Sequence, residues 1–364
     1  MQTTFRNLIS LEYGKPLPDN LRSKNGLYPV YGANGVKDRS NEYLYDCPTL
    51  IIGRKGAAGE INLSEDKFWP LDVTYFVKFD VKILDLHYLY YLLRKQNLPL
   101  LAKGVKPGLN REDVYNISIA IPSLDQQKRI AERLDKVQKL IALQKEQLKK
   151  LDELIKSRFI DLFGDPITNP KKWTQTPFHS LVKEMFIGPF GSDLKNENYV
   201  RPEQGYCVVY EQKHAIYHSI NLEFRYIDET KYKQLRRFLV KPGDFIMSCR
   251  GTIGKIYQLP PQAPCGIIHS SLMKISLDMK KVNSEYFQWL LASIIKNSTK
   301  DGGVIKMAIT AKNLGKKDVP IPPLSLQTQF ADFVTKIESQ KGLLTTRLSH
   351  LETLYKSLMQ EYFG

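Results

Sequence analysis

Two stretches of the chain carry apolar residues at alternating steps of four and three positions. The first runs from Ile130 to Leu162 and the second from Phe330 to Tyr362. This spacing puts one apolar stripe along a helix, and about five heptads of it are typical of helices that pack against each other. The predicted helix–helix seam consists of Ile130, Leu134, Val137, Ile141, Leu148, Leu151, Ile155 and Leu162 in the first stretch, and of Phe330, Val334, Ile337, Leu344, Leu348, Leu351, Tyr355, Leu358 and Tyr362 in the second.

The two stretches belong to a longer internal repeat. Residues 121–164 align without a gap on residues 321–364, and 14 of the 44 aligned positions are identical. Both copies open with Ile-Pro-x-Leu and close with Phe-Gly. The sequence therefore predicts four parts in chain order: a globular domain (1–120), a helical region (121–165), a second globular domain (166–320) and a second helical region (321–364).

The length of the helices indicates that they pack on each other rather than each on its own globular domain. About 37 residues at a rise of 1.5 Å make a rod of about 55 Å, which is longer than a small domain is wide. Two similar units related by a twofold axis would bring the rods together antiparallel. Gln144 and Lys341 interrupt the seam and would fix its register at some cost in stability. We expect a pseudo-twofold chain in which an antiparallel coiled coil sets a distance.

The globular parts read as α+β domains. Short apolar runs bounded by glycine and proline predict strands, and two longer patches predict helices. The strands are expected at 49–52, 73–79, 245–247 and 272–275, and the helices at 87–96 and 284–295. The repeat continues more loosely in these parts. A glycine-rich turn occurs in both, and it aligns Gly56 with Gly251 and Gly59 with Gly254.

Charge narrows the class of partner. The chain carries 53 Lys and Arg against 38 Asp and Glu, a formal net charge of +15. Such a surplus attracts polyanions, of which nucleic acid is the commonest. A membrane partner is not expected, since no apolar run reaches the roughly 18 residues that span a bilayer. The N-terminus has no charged-then-apolar signal layout, so we expect a cytoplasmic protein.

Neither a metal site nor a disulfide framework is expected. The four cysteines, Cys47, Cys207, Cys249 and Cys265, are scattered and form no Cys-x-x-Cys pair. His214 and His218 lie four positions apart, a spacing that could place both on one helix face. No acidic or cysteine partner accompanies them in sequence, so we interpret them as ordinary polar residues.

Basic residues on glycine-rich loops are the candidate DNA ligands. Loops hold phosphate oxygens through Lys, Arg and backbone N–H groups, while a few side chains read base edges. The candidates are Arg54, Lys55, Lys103, Lys106 and Arg111 in the first globular part, and Arg250, Lys255, Lys306 and Lys312 in the second.

No catalytic signature is evident in the sequence. It lacks a phosphate-binding loop, a dinucleotide fingerprint, a nucleophile elbow and the Asn-Pro-Pro-aromatic signature of amino-methyltransferases. A metal-dependent nuclease built on Asp19, Glu65 and Lys67 is one alternative, although Ser64 to Lys67 more simply predicts a polar hairpin turn. A basic coiled-coil adaptor that binds only protein is the other alternative.

Several motifs together resemble the specificity subunit of type I restriction-modification systems. They are GLYPVYGANG at 26–35, the Arg54-x-Gly-x-x-Gly59 turn, KPGLN at 106–110, IPSLDQQKRIAERLDKV at 121–137 and DLFGD at 161–165. The resemblance covers essentially the whole chain. It departs from the pattern at one place, because the segment Trp173 to Ser180 has little counterpart before Phe5 and the first domain therefore reads as trimmed.

The resemblance implies a function. In that family each globular unit is a target recognition domain that reads one half of a split double-stranded DNA site, and the helices set the gap between the halves. The subunit has no catalytic centre or cofactor of its own. It recruits two adenine methyltransferase subunits, which use S-adenosylmethionine, and restriction subunits, which use ATP with magnesium.

Overall fold

The computed structural model describes residues 2–298 and 310–364. These residues form two compact units. Unit 1 comprises the described residues up to Leu148 together with Leu343–Gly364, and unit 2 lies within Lys149–Gly342. Each unit thus holds one globular part and a portion of each long helix. The four-part division expected from the sequence stays a prediction.

Unit 1 is built from short strands and two helices before the long helices begin. Its strands are β1 (Gln2–Thr4), β2 (Ile9–Tyr13), β3 (Tyr28–Gly32), β4 (Gly35–Ser40), β5 (Thr49–Gly53), β6 (Ile61–Ser64), β7 (Trp69–Pro70), β8 (Thr74–Phe79) and β9 (Ser118–Ala120). Its helices are α1 (Leu86–Lys95) and α2 (Arg111–Tyr115), and it also contains the first part of α3 (Leu124–Phe163).

The strands of unit 1 form three sheets. One is antiparallel in the order β2-β8-β5-β6, a second has the order β4-β3-β7 with β3 and β7 parallel, and β1 pairs with β9. All five residues of β5 are buried, as a central apolar strand requires. Helix α1 covers the first sheet with Tyr88, Leu89 and Leu92, which belong to one core cluster with Leu50 and Ile52 of β5.

Unit 2 repeats this plan with additions. Its strands are β10 (Gln175–Pro177), β11 (Val182–Ile187), β12 (Cys207–Tyr210), β13 (Arg225–Ile227), β14 (Leu239–Val240), β15 (Phe245–Ser248), β16 (Ile256–Gln258), β17 (Gly266–Ile268), β18 (Leu272–Leu277) and β19 (Asp318–Pro320). Its helices are α4 (Gln212–Tyr217), α5 (Glu229–Leu235), α6 (Ser284–Ser298) and α7 (Ala311–Gly315), followed by α8 (Leu324–Phe363).

The sheets of unit 2 match those of unit 1 strand by strand. The order β11-β18-β15-β16 repeats β2-β8-β5-β6, and β10 pairs with β19 as β1 pairs with β9. The remaining sheet, β13-β12-β17-β14, corresponds to β4-β3-β7: its parallel pair is β12 with β17, as β3 is parallel to β7, and it gains the edge strand β14 beside β17. The predicted α+β class, the four strands and the two helices of the globular parts are therefore confirmed.

The long helices α3 and α8 run antiparallel within each unit. In unit 1, Arg133 donates to the hydroxyl of Tyr362 at 2.9 Å, while Lys145 further along α3 pairs with Glu352, further back on α8, at 2.8 Å. In unit 2, Lys341 of α8 pairs with Asp152 of α3 at 2.7 Å. The order of partners falls on α8 as it rises on α3, which defines an antiparallel pair.

Every residue of the predicted seam is at least partly buried. The fully buried ones are Leu134, Val137, Ile155, Phe330, Val334 and Ile337. The partly buried ones are Ile130, Ile141, Leu148, Leu151, Leu162, Leu344, Leu348, Leu351, Tyr355, Leu358 and Tyr362. The spacing did not single out Phe159 and Phe163, whose rings lie 5.5 Å from that of Phe330. These two phenylalanines lie in the largest core cluster of unit 2.

One buried glutamine joins each long helix to its globular part. The side-chain oxygen of Gln127 accepts from the backbone N–H of Asp85 at 3.0 Å, and its nitrogen donates to the carbonyls of Ile83 and Pro122. Gln327, 200 positions later, accepts from the N–H of Asn283 at 2.8 Å and donates to Pro322. Both amides bridge the start of a short helix to the start of a long one.

The expectation that the segment Trp173 to Ser180 has little counterpart in the first domain is wrong. Strand β1 and the 3₁₀ turn Phe5–Asn7 correspond to β10 and the turn Phe178–Leu181. Each strand leads into the edge strand of a four-stranded sheet, β2 or β11, and pairs with the strand that precedes a long helix, β9 or β19. The sequence carries the match as QTTFRNL at 2–8 and QTPFHSL at 175–181. Its offset of 173 differs from the offset of 200 in the helical part of the repeat, so the alignment of the repeat did not reveal this match.

None of the helices among the described residues has the length and apolarity needed to cross a membrane.

Candidate nucleic-acid interface

The glycine-rich turn has the same geometry in both units. In unit 1 the N–H of Gly53 donates to Glu60 and the N–H of Gly59 donates back to Gly53, both at 2.8 Å. In unit 2, at an offset of 195, Ser248 donates to Lys255 at 2.9 Å and Gly254 donates to Ser248 at 2.8 Å. The two turns therefore close with the same pair of backbone hydrogen bonds.

Positive backbone φ angles explain the glycines in these turns. Gly56 and Gly59 have φ of 81° and 84°, and Gly251 and Gly254 have 63° and 84°. Residues with a Cβ rarely adopt such angles. A Cβ on Gly59 would also lie 2.3 Å from the backbone nitrogen of Pro99, so this turn is pressed against the segment after α1.

In unit 1 the structure brings the five predicted ligands to one surface. The N–H of Leu109 donates to the carbonyl of Arg54 at 2.9 Å, which joins the glycine turn to the loop 103–109. Gly108 forms isolated β-bridges with Lys55 and Lys103. Its N–H donates to the carbonyl of Lys103, and its carbonyl accepts from the N–H of Lys103, both at 3.1 Å. The basic surface of unit 1 is defined by these residues: Arg54, Lys55, Lys103, Lys106 and Arg111.

The cations of this surface differ in how far they are neutralised. The ammonium of Lys103 lies 3.0 Å from the carboxylate of Asp113. Arg54 instead donates twice to the backbone carbonyl of Asp72, at 3.0 and 2.7 Å. Lys55 and Lys106 are exposed. The surface keeps a net positive charge that faces water.

In unit 2 the turn is held from another side. The side-chain nitrogen of Gln212, in α4, donates to the carbonyls of Arg250 and Thr252 at 2.7 and 3.2 Å. Arg250 and Lys255 thus flank a fixed turn. Lys312 is exposed on α7, and no hydrogen bond in the described part of the chain joins it to this turn. Lys306 lies outside the described residues.

Sequence reasoning missed a polar cluster at the carboxyl ends of the parallel strands of unit 2. Glu211 follows β12 and forms ion pairs with Arg225 and, at 3.3 Å, with Lys213. The guanidinium of Arg225 lies 3.9 Å from the ring centre of Tyr199. Burial raises the pKa of Glu211, but the two cations lower it overall. The only signal was a charged residue directly after an apolar strand.

The two histidines of this region have separate surroundings. His214 is fully buried, stacks on Phe224 at 4.5 Å and accepts from the N–H of Glu211 through Nδ1. Burial lowers the pKa of His214. Helix α4 ends at Tyr217, and His218 has a φ of 49°, so the two histidines do not share a helix face.

The residues of the nuclease alternative are engaged separately. Asp19 pairs with Arg22 at 3.0 Å, Glu65 lies 4.0 Å from His87, and the ammonium of Lys67 lies over the ring of Tyr43. Ser64 to Lys67 forms the expected polar turn, in which the hydroxyl of Ser64 donates to Asp66. It is not a hairpin, because the flanking strands β6 and β7 belong to different sheets. Within residues 2–298 and 310–364, no group of three metal-binding side chains occurs.

Comparisons with known proteins agree with this repeat. A family model described as a type I restriction modification DNA specificity domain matches residues 6–153 and 203–353. A Haemophilus influenzae protein named as a putative type I restriction enzyme specificity subunit is 25% identical, over 92% of this chain and 86% of its own length.

Two solved structures share the fold. The crystal structure of the type I restriction-modification system S subunit from M. genitalium superposes with a TM-score of 0.66 at 17% identity, over 100% of this chain and 96% of that chain. A structure described for complex assembly and conformational transition of the type I R-M system gives a TM-score of 0.60 at 15% identity, over 100% and 97%.

Proposed function

The chain belongs to the type I restriction-modification DNA specificity family, and we propose that it reads a two-part DNA target with one half-site per unit. The observation that carries the proposal is the basic glycine turn, which recurs with the same hydrogen bonds in the same sheet of both units. Basic side chains and turn N–H groups suit DNA phosphates. The side chains around the two turns differ, so the two half-sites should differ in sequence.

The long helices would set the gap between the half-sites. Helices α3 and α8 have 40 residues each and align without a gap, whereas the globular parts differ in loop length. Such uniform length suits an element that holds a distance. An insertion of one helical turn in both helices should therefore change the spacer of the target and leave both half-sites unchanged.

Catalysis would belong to other subunits. We infer that the chain is non-catalytic and acts in the cytoplasm with two adenine methyltransferase subunits and with restriction subunits. Those subunits would use S-adenosylmethionine, and ATP with magnesium, respectively. The two exposed basic turns support a DNA contact made by this chain itself.

The test is methylome sequencing of cells that carry the chain with its methyltransferase subunit. We expect one methylated two-part motif with a fixed spacer. Exchange of residues 166–320 for the matching part of another family member should change one half-site only. A change in both halves, or in neither, would refute the assignment of one half-site to each unit.

The two alternatives predict other results. A metal-dependent nuclease would cleave DNA as the purified chain with Mg²⁺, and Glu65→Ala would abolish that cleavage. A protein-only adaptor would give no shift of duplex DNA at low salt, even with its methyltransferase partner. Either result would replace the proposed function.

A further inference from the structure

A half-exposed tyrosine lies against two arginines of the basic surface of unit 1. Tyr13 ends β2 and pairs across the sheet with Tyr75 of β8, with ring centres 5.1 Å apart. Its side of the strand is fixed by the next residue, since a Cβ on Gly14 would lie 2.2 Å from the carbonyl oxygen of Leu71. Tyr13 is nevertheless 49% exposed. The ring therefore packs on Tyr75 and still reaches the surface of unit 1.

Two arginines from separate elements lie against this ring. The guanidinium of Arg54, in the glycine turn, lies 5.3 Å from the ring centre, and that of Arg111, at the start of α2, lies 5.4 Å from it. Both distances are within the range of a cation–π contact. Burial and the neighbouring Tyr13 hydroxyl raise the pKa of Tyr75 to about 12, so this tyrosine stays neutral beside the arginines.

Both arginines keep hydrogen-bond capacity for an anion. Arg54 has five N–H donors and spends two on the carbonyl of Asp72, which leaves three. Among the described residues, no carboxylate lies within ion-pair distance of Arg54. Arg111 has one long contact, 3.9 Å, to Glu112, which bonds Arg6 at 2.6 Å.

Another arginine–tyrosine contact, in unit 2, shows what a neutralised pair looks like. Arg225 stacks on Tyr199 at 3.9 Å and forms an ion pair with the mostly buried Glu211. The charge of Arg225 is thus neutralised within unit 2. The arginines on Tyr13 lie further from the ring centre, at 5.3 and 5.4 Å, and among the described residues neither has a carboxylate closer than the 3.9 Å contact of Arg111 with Glu112.

We propose that Tyr13 is a positioning residue that aligns Arg54 and Arg111 as a paired ligand for backbone phosphates of the half-site read by unit 1. This inference rests on the proposed function. Guanidinium groups bind phosphate through parallel N–H donors, and a fixed orientation lowers the entropy lost on binding. Because the contact is to phosphate, it should affect affinity and salt dependence but not the sequence that is read.

The decisive variant keeps every charge. In the complex with its methyltransferase subunits, Tyr13→Ala should lower the affinity for the target duplex about tenfold. It should also make the plot of log affinity against log salt shallower by about 1 to 2, although both arginines remain. Tyr13→Phe keeps the ring face and should restore the wild-type slope. The methylated motif should be the same in all variants.

A double-mutant cycle separates positioning from general stability. Arg54→Ala and Arg111→Ala should each make the slope shallower by about 1, and Tyr13→Ala should add nothing in the double arginine variant. Tyr43→Ala is the matched control, since Tyr43 is 40% exposed in the same unit and carries Lys67 instead. It should leave the slope unchanged.

Three outcomes would overturn the inference: an unchanged slope in Tyr13→Ala, an equal change in Tyr43→Ala, or a further loss when Tyr13→Ala is added to the double arginine variant. Failure of the proposed function gives a different result. In that case the wild-type complex itself would not prefer the methylated motif to a scrambled duplex.

Discussion

The buried amide of Gln127 makes a sharp prediction for the joint between helix and domain. Its side chain is 1% exposed and makes three hydrogen bonds to backbone groups, of 3.0, 3.0 and 3.1 Å. The variant Gln127→Leu keeps the volume but leaves one N–H and two carbonyls without this partner. Each such group costs about 1–3 kcal/mol when buried, and the apolar side chain recovers part of this. We expect a net loss of about 3 kcal/mol.

Calorimetry and hydrogen exchange can check this value. For a unit of this size, about 3 kcal/mol corresponds to a fall in Tm of roughly 6–12 °C. The amide of Asp85, which donates to Gln127, should lose protection in hydrogen exchange. Gln126→Leu is the matched control, since this neighbour is exposed and its side chain, among the described residues, accepts only from Ser123, at 3.3 Å. Equal costs for the two variants would refute the reasoning.

Three further predictions concern other parts of the fold. Gly59→Ala should destabilise unit 1 by more than about 2 kcal/mol, whereas Gly56→Ala should cost about 1 kcal/mol. Both glycines have positive φ, but only a Cβ on Gly59 would meet Pro99. Equal Tm values of the two variants by calorimetry would contradict this. Phe159→Ala should cost about 3–5 kcal/mol in urea unfolding of unit 2, and a loss below about 1 kcal/mol would mean that its aromatic cluster is not a core. Burial raises the pKa of Glu285, so the native state binds this proton more tightly than the unfolded chain does. Stability therefore falls as the pH rises from the ordinary glutamate pKa through the raised pKa of Glu285. Glu285→Gln should therefore raise the Tm of unit 2 at neutral pH but not at pH values below the ordinary glutamate pKa, and an equal gain at both pH values would contradict the assignment.

The long helices were predictable because their signal is local. A seam residue such as Leu134 or Phe330 can be identified from neighbours three and four positions away. The strand β1 escaped notice for the opposite reason. It is three residues long, and its pairing of Gln2 with Ala120 spans most of unit 1. Only the shared QTxF pattern at an unusual offset marked it.

The candidate site likewise contains residues that the sequence predicts and residues that it does not. Arg54 and Lys55 could be proposed from a glycine-rich turn, since such turns need few residues to specify. The role of Tyr13 could not, because Arg54 and Arg111, which lie against its ring, come from distant parts of the chain and meet only through the sheet. Gln127 was missed because glutamine is mostly exposed in proteins, and burial depends on partners that the local pattern does not reveal.

The sharing of the long helices has a consequence for synthesis on the ribosome. Unit 2 is complete once Gly342 has emerged, whereas unit 1 needs Leu343–Gly364. At about 5–20 residues per second this last segment follows Leu148 by roughly 10–40 s. The first half to be made is thus the second to be finished, and Tyr88, which packs on Phe363 at 5.3 Å, stays uncovered meanwhile. We expect nascent chains to depend on chaperones during this interval.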